Sequence, residues 1–335
     1  MKKKLYIILG VILVLALFAF WLLKFSKNYP SQITLEHPQN YFGVTYSKKF
    51  ARLLGLSWRQ AYLAMLDDLQ VKEVRLPVYW DDLEAVEGVY DFTDMDYMLK
   101  EGAARNVKFV LDIGERTPRW PECHAPSWVA GKSTLDRQAA TMVMIAKVVE
   151  RYKDHPELVD WQVENEPLLN VFGECPPADA NFLRSEVAKV KELDASRQVI
   201  ISGSGELSSW APEAKIGDIF GATMYRVVYN SWFGYVRYPF PAAFYRLKAD
   251  WAGIKPENRI IMELQTEPWV ANGRMQDLTD KELAKSFSMD QFKANVQFAI
   301  NVNFGKIYMW GVEWWYLQKQ NGHPEYWDFA KTLFK

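Results

Sequence analysis

From Tyr41 to the C-terminus the chain alternates, eight times over, a short β-branched or aromatic run with a longer amphipathic segment. Parallel strands joined by crossover helices give that pattern, and few other folds do. The strands are expected at 41–45, 73–77, 108–113, 159–163, 198–202, 219–224, 259–263 and 306–311. The helices are expected at about 57–70, 93–106, 134–154, 178–193, 208–215, 241–252, 279–302 and 325–334. Ser57, Thr93, the Asp277-Leu-Thr-Asp280 stretch and His323-Pro324 supply start signals. No Gly/Ser/Pro-rich linker interrupts the series, and roughly 295 residues suit one TIM (β/α)₈ barrel of the α/β class, for which about 250 is typical. The rival is a doubly wound open sheet. It calls for a nucleotide-binding loop after a strand, and Gly203-Ser-Gly205-Glu-Leu-Ser208 lacks the third glycine of that fingerprint.

The first thirty residues are a separate object. Residues 5–23 form nineteen consecutive uncharged positions, enough as a helix to reach across roughly the hydrocarbon of a bilayer. Lys2, Lys3 and Lys4 precede them, which holds the N-terminus in the cytoplasm and sends the remainder out. Bulky Phe20, Trp21 and Leu22 stand where small residues favour signal-peptide cleavage, so the expectation is an uncleaved transmembrane anchor over 1–30 and a catalytic domain over 31–335. The five lysines of residues 1–30 leave 35 basic against 41 acidic side chains beyond them. Neither that balance nor any basic run past the N-terminus favours nucleic acid as a partner. Outside the cytoplasm Cys123 and Cys175 are free to form a disulfide or to remain thiols, and both readings stand.

In a barrel, chemistry collects where strands end. The fourth strand closes Trp161-Gln-Val-Glu164-Asn165-Glu166-Pro167, and the seventh closes Ile260-Ile-Met-Glu263-Leu-Gln265-Thr-Glu267-Pro268-Trp269. Carboxylates emerging from apolar strands are costly to desolvate unless something uses them. Two of them across one mouth can cut a glycosidic bond, one protonating the leaving oxygen and the other attacking or stabilising the sugar cation. That chemistry needs no cofactor or metal. Only 4 His and 2 Cys occur in the chain, and no Gly-x-Ser-x-Gly elbow or His-Glu-x-x-His helix is present.

The Asn165-Glu166-Pro167 triplet, with a second strand-end Glu about a hundred residues on, resembles the clan-A retaining glycoside hydrolases, the group of cellulases, xylanases and β-galactosidases. Trp80-Asp-Asp-Leu-Glu84, then Glu87-Gly88-Val-Tyr90-Asp91-Phe92 and Asp96, is similar to the segment those enzymes carry after strand two. The resemblance implies Glu166 as general acid/base, Asn165 as partner of the sugar 2-hydroxyl and Glu263 as nucleophile. Arg75 then falls at the strand-two arginine and Tyr225 at the strand-six tyrosine. Glu267, four residues past Glu263, competes for the nucleophile's role but is expected to contact a sugar hydroxyl. Glu164 is expected to pair with Arg75 or another buried base. Glu115 and Glu313 are expected to bind hydroxyls or to pair with Arg116 and Arg119.

Aromatic residues make up 15% of the chain, including 14 Trp, more than a core of this size needs. Trp314 or Trp315 is expected beneath the cleaved sugar, with Trp120 and Trp269 at flanking subsites. The resulting expectation is a membrane-anchored retaining hydrolase of a β-linked oligo- or polysaccharide, its two carboxyl groups about 5 Å apart. A catalytically idle barrel that binds cell-surface polysaccharide, and a glycan-remodelling transglycosylase, are the alternatives. The sequence leaves oligomeric state open.

Overall fold

The computed structural model describes residues 35–271 and 274–335, with a few positions between 6 and 16. Eight parallel strands close into a barrel: β1 (Phe42–Thr45), β2 (Glu73–Pro77), β3 (Lys108–Ile113), β4 (Leu158–Val163), β5 (Gln198–Ser204), β6 (Ile219–Met224), β9 (Arg259–Gln265) and β10 (Ile307–Trp310). Between β6 and β9 lies an antiparallel hairpin of β7 (Val227–Asn230) and β8 (Gly234–Arg237). The strands are apolar on both faces because each is covered twice, by the barrel interior and by the helical ring. Val110, Ile200, Ile260, Met262 and Tyr308 fill the inside, while a larger cluster packs strands against helices. The transmembrane expectation over residues 5–23 lies largely outside the described residues. Among those described, no helix is long and apolar enough to cross a membrane.

All eight strands fall within two residues of their expected bounds, and two helices differ. The stretch expected helical at 208–215 holds only a single 3₁₀ turn, Glu213–Lys215. Trp210 adopts a left-handed φ of 72°, buries its ring completely and donates its indole N–H to the Ser204 carbonyl at 2.7 Å, and Pro212 follows. The helix expected over 279–302 is two, Asp280–Ser286 and Met289–Val302, because Phe287 is extended and Ser288 caps the second through the Gln291 amide.

Short helices also open directly from strand ends, at Lys48–Leu53, Trp80–Leu83 and Val312–Gln320. The last begins at Gly311, whose φ of 139° and close approach to the Glu267 Cβ leave no room for a side chain. That immediate turn swings Trp314 and Trp315 into the wall rather than the mouth, and they are 1% and 0% exposed. Trp314 packs edge-on against Phe287 and Tyr326, and Trp315 stacks on Phe292 and donates to the Thr266 carbonyl. Neither lines the cavity at the strand ends, which corrects the sequence expectation for both.

Candidate active site

Strand alternation alone would point Glu263 out of the barrel, since Ile260 and Met262 already face inward. A bulge changes this. Ala222 pairs with Ile261 but Thr223 pairs with Glu263, so β9 holds one residue more than its neighbour, and the register against β10 shifts at the same place. The extra residue turns Glu263 inward and returns Leu264 to the outer packing layer.

There the Glu263 carboxylate accepts two hydrogen bonds, from Arg75 Nη1 at 2.8 Å and from the Tyr225 hydroxyl at 2.7 Å. Arg75 is fully buried, and its second nitrogen donates to Asp112 Oδ2 at 2.7 Å and to Asn165 Oδ1 at 2.9 Å. One guanidinium therefore cross-links β2, β3, β9 and the turn after β4. Asn165 in turn donates through Nδ2 to Glu122 at 3.1 Å and accepts from Ser202 at 3.1 Å.

The turn after β4 is built differently. Glu164 and Glu166 both have left-handed φ values, 59° and 45°, each costing about 1–3 kcal/mol for a non-glycine residue. Backbone and side-chain bonds hold them. Glu164 N–H reaches the Ile113 carbonyl at 2.8 Å, Asn165 N–H the Arg116 carbonyl at 2.6 Å, and Glu166 N–H the Ser202 hydroxyl at 2.8 Å. The Glu164 carboxylate accepts the backbone amides of Glu115 and Arg116. It thus braces the turn and does not pair with Arg75, contrary to the sequence reading.

The strained turn delivers Glu166 into the cavity, where Oε1 accepts from the Thr223 hydroxyl at 2.7 Å. Burial pushes its pKa up to about 8, and the negative charge of Glu263 adds to the effect.

Both carboxylates open on a single cavity of about 960 Å³. Asn165, Tyr225, Trp120, Trp269 and Glu267 line it as well, whereas Arg75 stands behind the wall. Both Glu267 oxygens pair with Arg119, which also reaches Glu313 at 3.1 Å. Arg119 lies over the Trp310 ring at 4.0 Å and over Phe50 at 3.5 Å. Glu115 pairs with Arg137 instead of Arg116, whose guanidinium caps the Leu169 and Phe172 carbonyls.

Trp310, one of six tryptophans that the sequence sets at or beyond strand ends, lines the cavity, and so do two acids given no site role there, Glu122 and Glu206. Trp310 sits at the end of β10 and supplies the ring expected from its neighbours. Glu122 and Glu206 have pKa values raised to about 7, chiefly by burial. Glu122 sits beside Cys123, and the Cys123–Cys175 disulfide ties its loop to the loop after β4. That bond resolves the choice left open between bridge and thiols. Glu206 follows β5 and accepts from the Tyr245 hydroxyl, and nothing in its sequence surroundings marks it. Among the described residues no group of three or more His, Cys, Asp or Glu is arranged to hold a metal ion.

Residues 71–319 match the family described as glycosyl hydrolases family 2, TIM barrel domain. A β-galactosidase from Clostridium cellulovorans is 23% identical over 167 residues, 44% of this chain and 25% of its own length. Another, from an Arthrobacter species, is 35% identical over 103 residues, 25% of this chain and 15% of its own. The matched stretches thus span a quarter or less of those relatives. The xylanase 10B structure from Thermotoga petrophila superposes with a TM-score of 0.55 at 15% identity, covering 82% of this chain and 83% of the xylanase, a likeness of fold.

Proposed function

The chain belongs to the TIM-barrel domain family of the glycosyl hydrolases family 2, and we propose that it is a retaining glycosidase cleaving a β-linked O-glycosidic bond by double displacement. One observation carries this reading: two carboxyl groups share a cavity yet sit in opposed surroundings. Glu263 has a cation and a hydroxyl aimed at it, and Glu166 is held protonated near neutral pH by burial.

In the first step the Glu166 carboxyl gives its proton to the glycosidic oxygen while a Glu263 oxygen attacks the anomeric carbon. The leaving alcohol departs and an acylal ester to Glu263 remains. In the second step Glu166, now a carboxylate, takes a proton from water, whose oxygen attacks the same carbon from the vacated face and releases Glu263. Tyr225 and Arg75 hold the nucleophile's two oxygens in place through their hydrogen bonds. Asn165 faces the sugar 2-hydroxyl, Trp310 lies beneath the ring being cleaved, and Trp120 and Trp269 flank it. Proton NMR of the first product tests the scheme. Retained anomeric configuration is the expected result, and initial inversion excludes the covalent route.

The uncharged run at residues 5–23 supports a membrane anchor, with the barrel outside the cytoplasm, and the Cys123–Cys175 bridge accords with an oxidising compartment. The full-length chain should stay with membranes through a high-salt, alkaline wash. Release by that wash would remove the anchor from the account.

A further inference from the structure

The cavity has two unlike halves. Its floor is crowded with polar groups: Glu122, Asn165, Glu166, Glu263, and the Arg119–Glu267 pair. Its outer wall is mostly hydrocarbon, with Lys49, Tyr229, Asn230 and Tyr238 among the apolar side chains. Val228 and Val236 are a direct cross-strand pair of the β7–β8 hairpin, and both line the cavity together with Phe233 from the hairpin's turn. Leu53, at the end of the helix after β1, and Val171 and Leu207, from two other loops, complete this wall, and they are 65%, 74% and 57% exposed. Phe233 is 82% exposed and its neighbour Trp232 88%. Much of the exposed large apolar surface of the described barrel is thus gathered around one opening, and such clustering marks a binding surface.

The hairpin is held in place. Gln265 accepts the Arg226 and Val227 amides at 2.9 Å each and donates back to the Val227 carbonyl at 2.8 Å. Arg226 donates to the Tyr238 carbonyl at 2.8 Å, and the Tyr235 hydroxyl reaches Glu282 at 2.7 Å. These bonds use side chains that would otherwise offer hydrogen bonds to a ligand. The hairpin meets the cavity with Val228, Phe233 and Val236, beside Tyr229, Asn230 and Tyr238.

We infer that the leaving half of the substrate is apolar: this wall is an aglycone subsite for an alkyl or aryl group, and the sugar occupies only the polar floor. This rests on the glycosidase reading and narrows it. A second and third sugar laid along Val171, Leu207, Val228 and Val236 would lose water from several hydroxyls and find few partners, at a cost for each unmatched group. A hydrocarbon loses nothing there and gains about 0.8 kcal/mol for each methylene fully removed from water, close to a fourfold effect. A glycolipid and a small aryl glycoside share this chemistry.

The test is a ladder of n-alkyl β-glycosides, methyl to hexyl, on several sugars and with the full-length chain. Their leaving alcohols have nearly equal acidity, so only apolar contact changes along the ladder. The expectation is a rise in kcat/KM of about twofold per methylene, near thirtyfold from methyl to hexyl. The paired substitution Val228→Thr with Val236→Thr should flatten the ladder, with the hexyl glycoside losing most of its advantage over methyl. A phenyl and a long-chain glycolipid arm then tell which source is favoured.

Equal turnover of methyl and hexyl glycosides overturns the inference while leaving the glycosidase intact. If no glycoside is cleaved, the glycosidase reading falls, and calorimetric binding along the same ladder still decides the subsite: rising affinity upholds it, flat affinity overturns it. Vesicle binding lost in Trp232→Ser or Phe233→Ser, beside a flat ladder, would assign the rim to a membrane surface and overturn the aglycone.

Discussion

Glu166 and Glu263 enter one cavity from strands three places apart in the barrel, and the backbone treats them in contrasting ways. Glu263 rides on a bulged strand, and a guanidinium and a phenol fix its two oxygens. Glu166 ends a turn of two left-handed residues, takes one hydroxyl, and keeps its proton because burial and its partner's charge oppose ionisation. In the proposed scheme two residues of the same type thus take attacking and proton-donating parts, set by their surroundings. The lesson is that the difference between them lies in neighbours, and changing those neighbours should erase it.

The largest effect is expected from Glu263→Gln, which replaces the proposed nucleophilic carboxylate with a neutral amide. Turnover should fall by about 10⁴-fold or more on every glycoside, measured by steady-state kinetics. Glu166→Gln should cost about 10²–10⁴-fold, the range of general acid–base catalysis, and far less where the leaving group needs no proton. The same pair of assays on a phenolate and an alkyl glycoside separates the two roles.

The pH profile sharpens the contrast. A raised pKa means the acid form persists to about pH 8, so kcat/KM should hold through neutrality and fall about tenfold per unit above that value. Glu122 and Glu206 titrate near 7, so the limb is assigned by its disappearance in Glu166→Gln.

Arg75→Met leaves Asp112 and Glu263 buried without their shared cation. A loss of about 3–5 kcal/mol in unfolding free energy is expected, read by urea denaturation. Tyr225→Phe removes one hydroxyl from Glu263 and should lower kcat about ten- to hundredfold with little change in stability, the smallest of these effects.

The barrel was legible because alternating strands and helices leave a long-range signature, and all eight strands lie near their expected bounds. Much of the site was legible too, since Asn165, Glu166 and Glu263 stand at strand ends. What escaped depends on geometry at single residues. The bulge that turns Glu263 inward cannot be seen in Ile260-Ile-Met-Glu, where simple alternation points it outward. Trp314 and Trp315 read as exposed rings until Gly311 starts a helix that buries them and leaves Trp310 at the opening. Glu164 shares its strand position with Glu166 yet spends its oxygens on two amides, because the backbone reverses between them. The β7–β8 hairpin lies in a stretch for which the periodicity predicted no element, and it forms because Gln265, on a distant strand, ties its base.

The central claim is that Glu263 becomes covalently bonded to the sugar. A 2-deoxy-2-fluoro glycoside with a good leaving group slows the second step, so the intermediate can be weighed intact and mapped by peptide mass spectrometry. One added glycosyl group is expected, on the peptide carrying Glu263 and at that residue. A label on Glu267 or Glu122, or steady turnover with none, would contradict it.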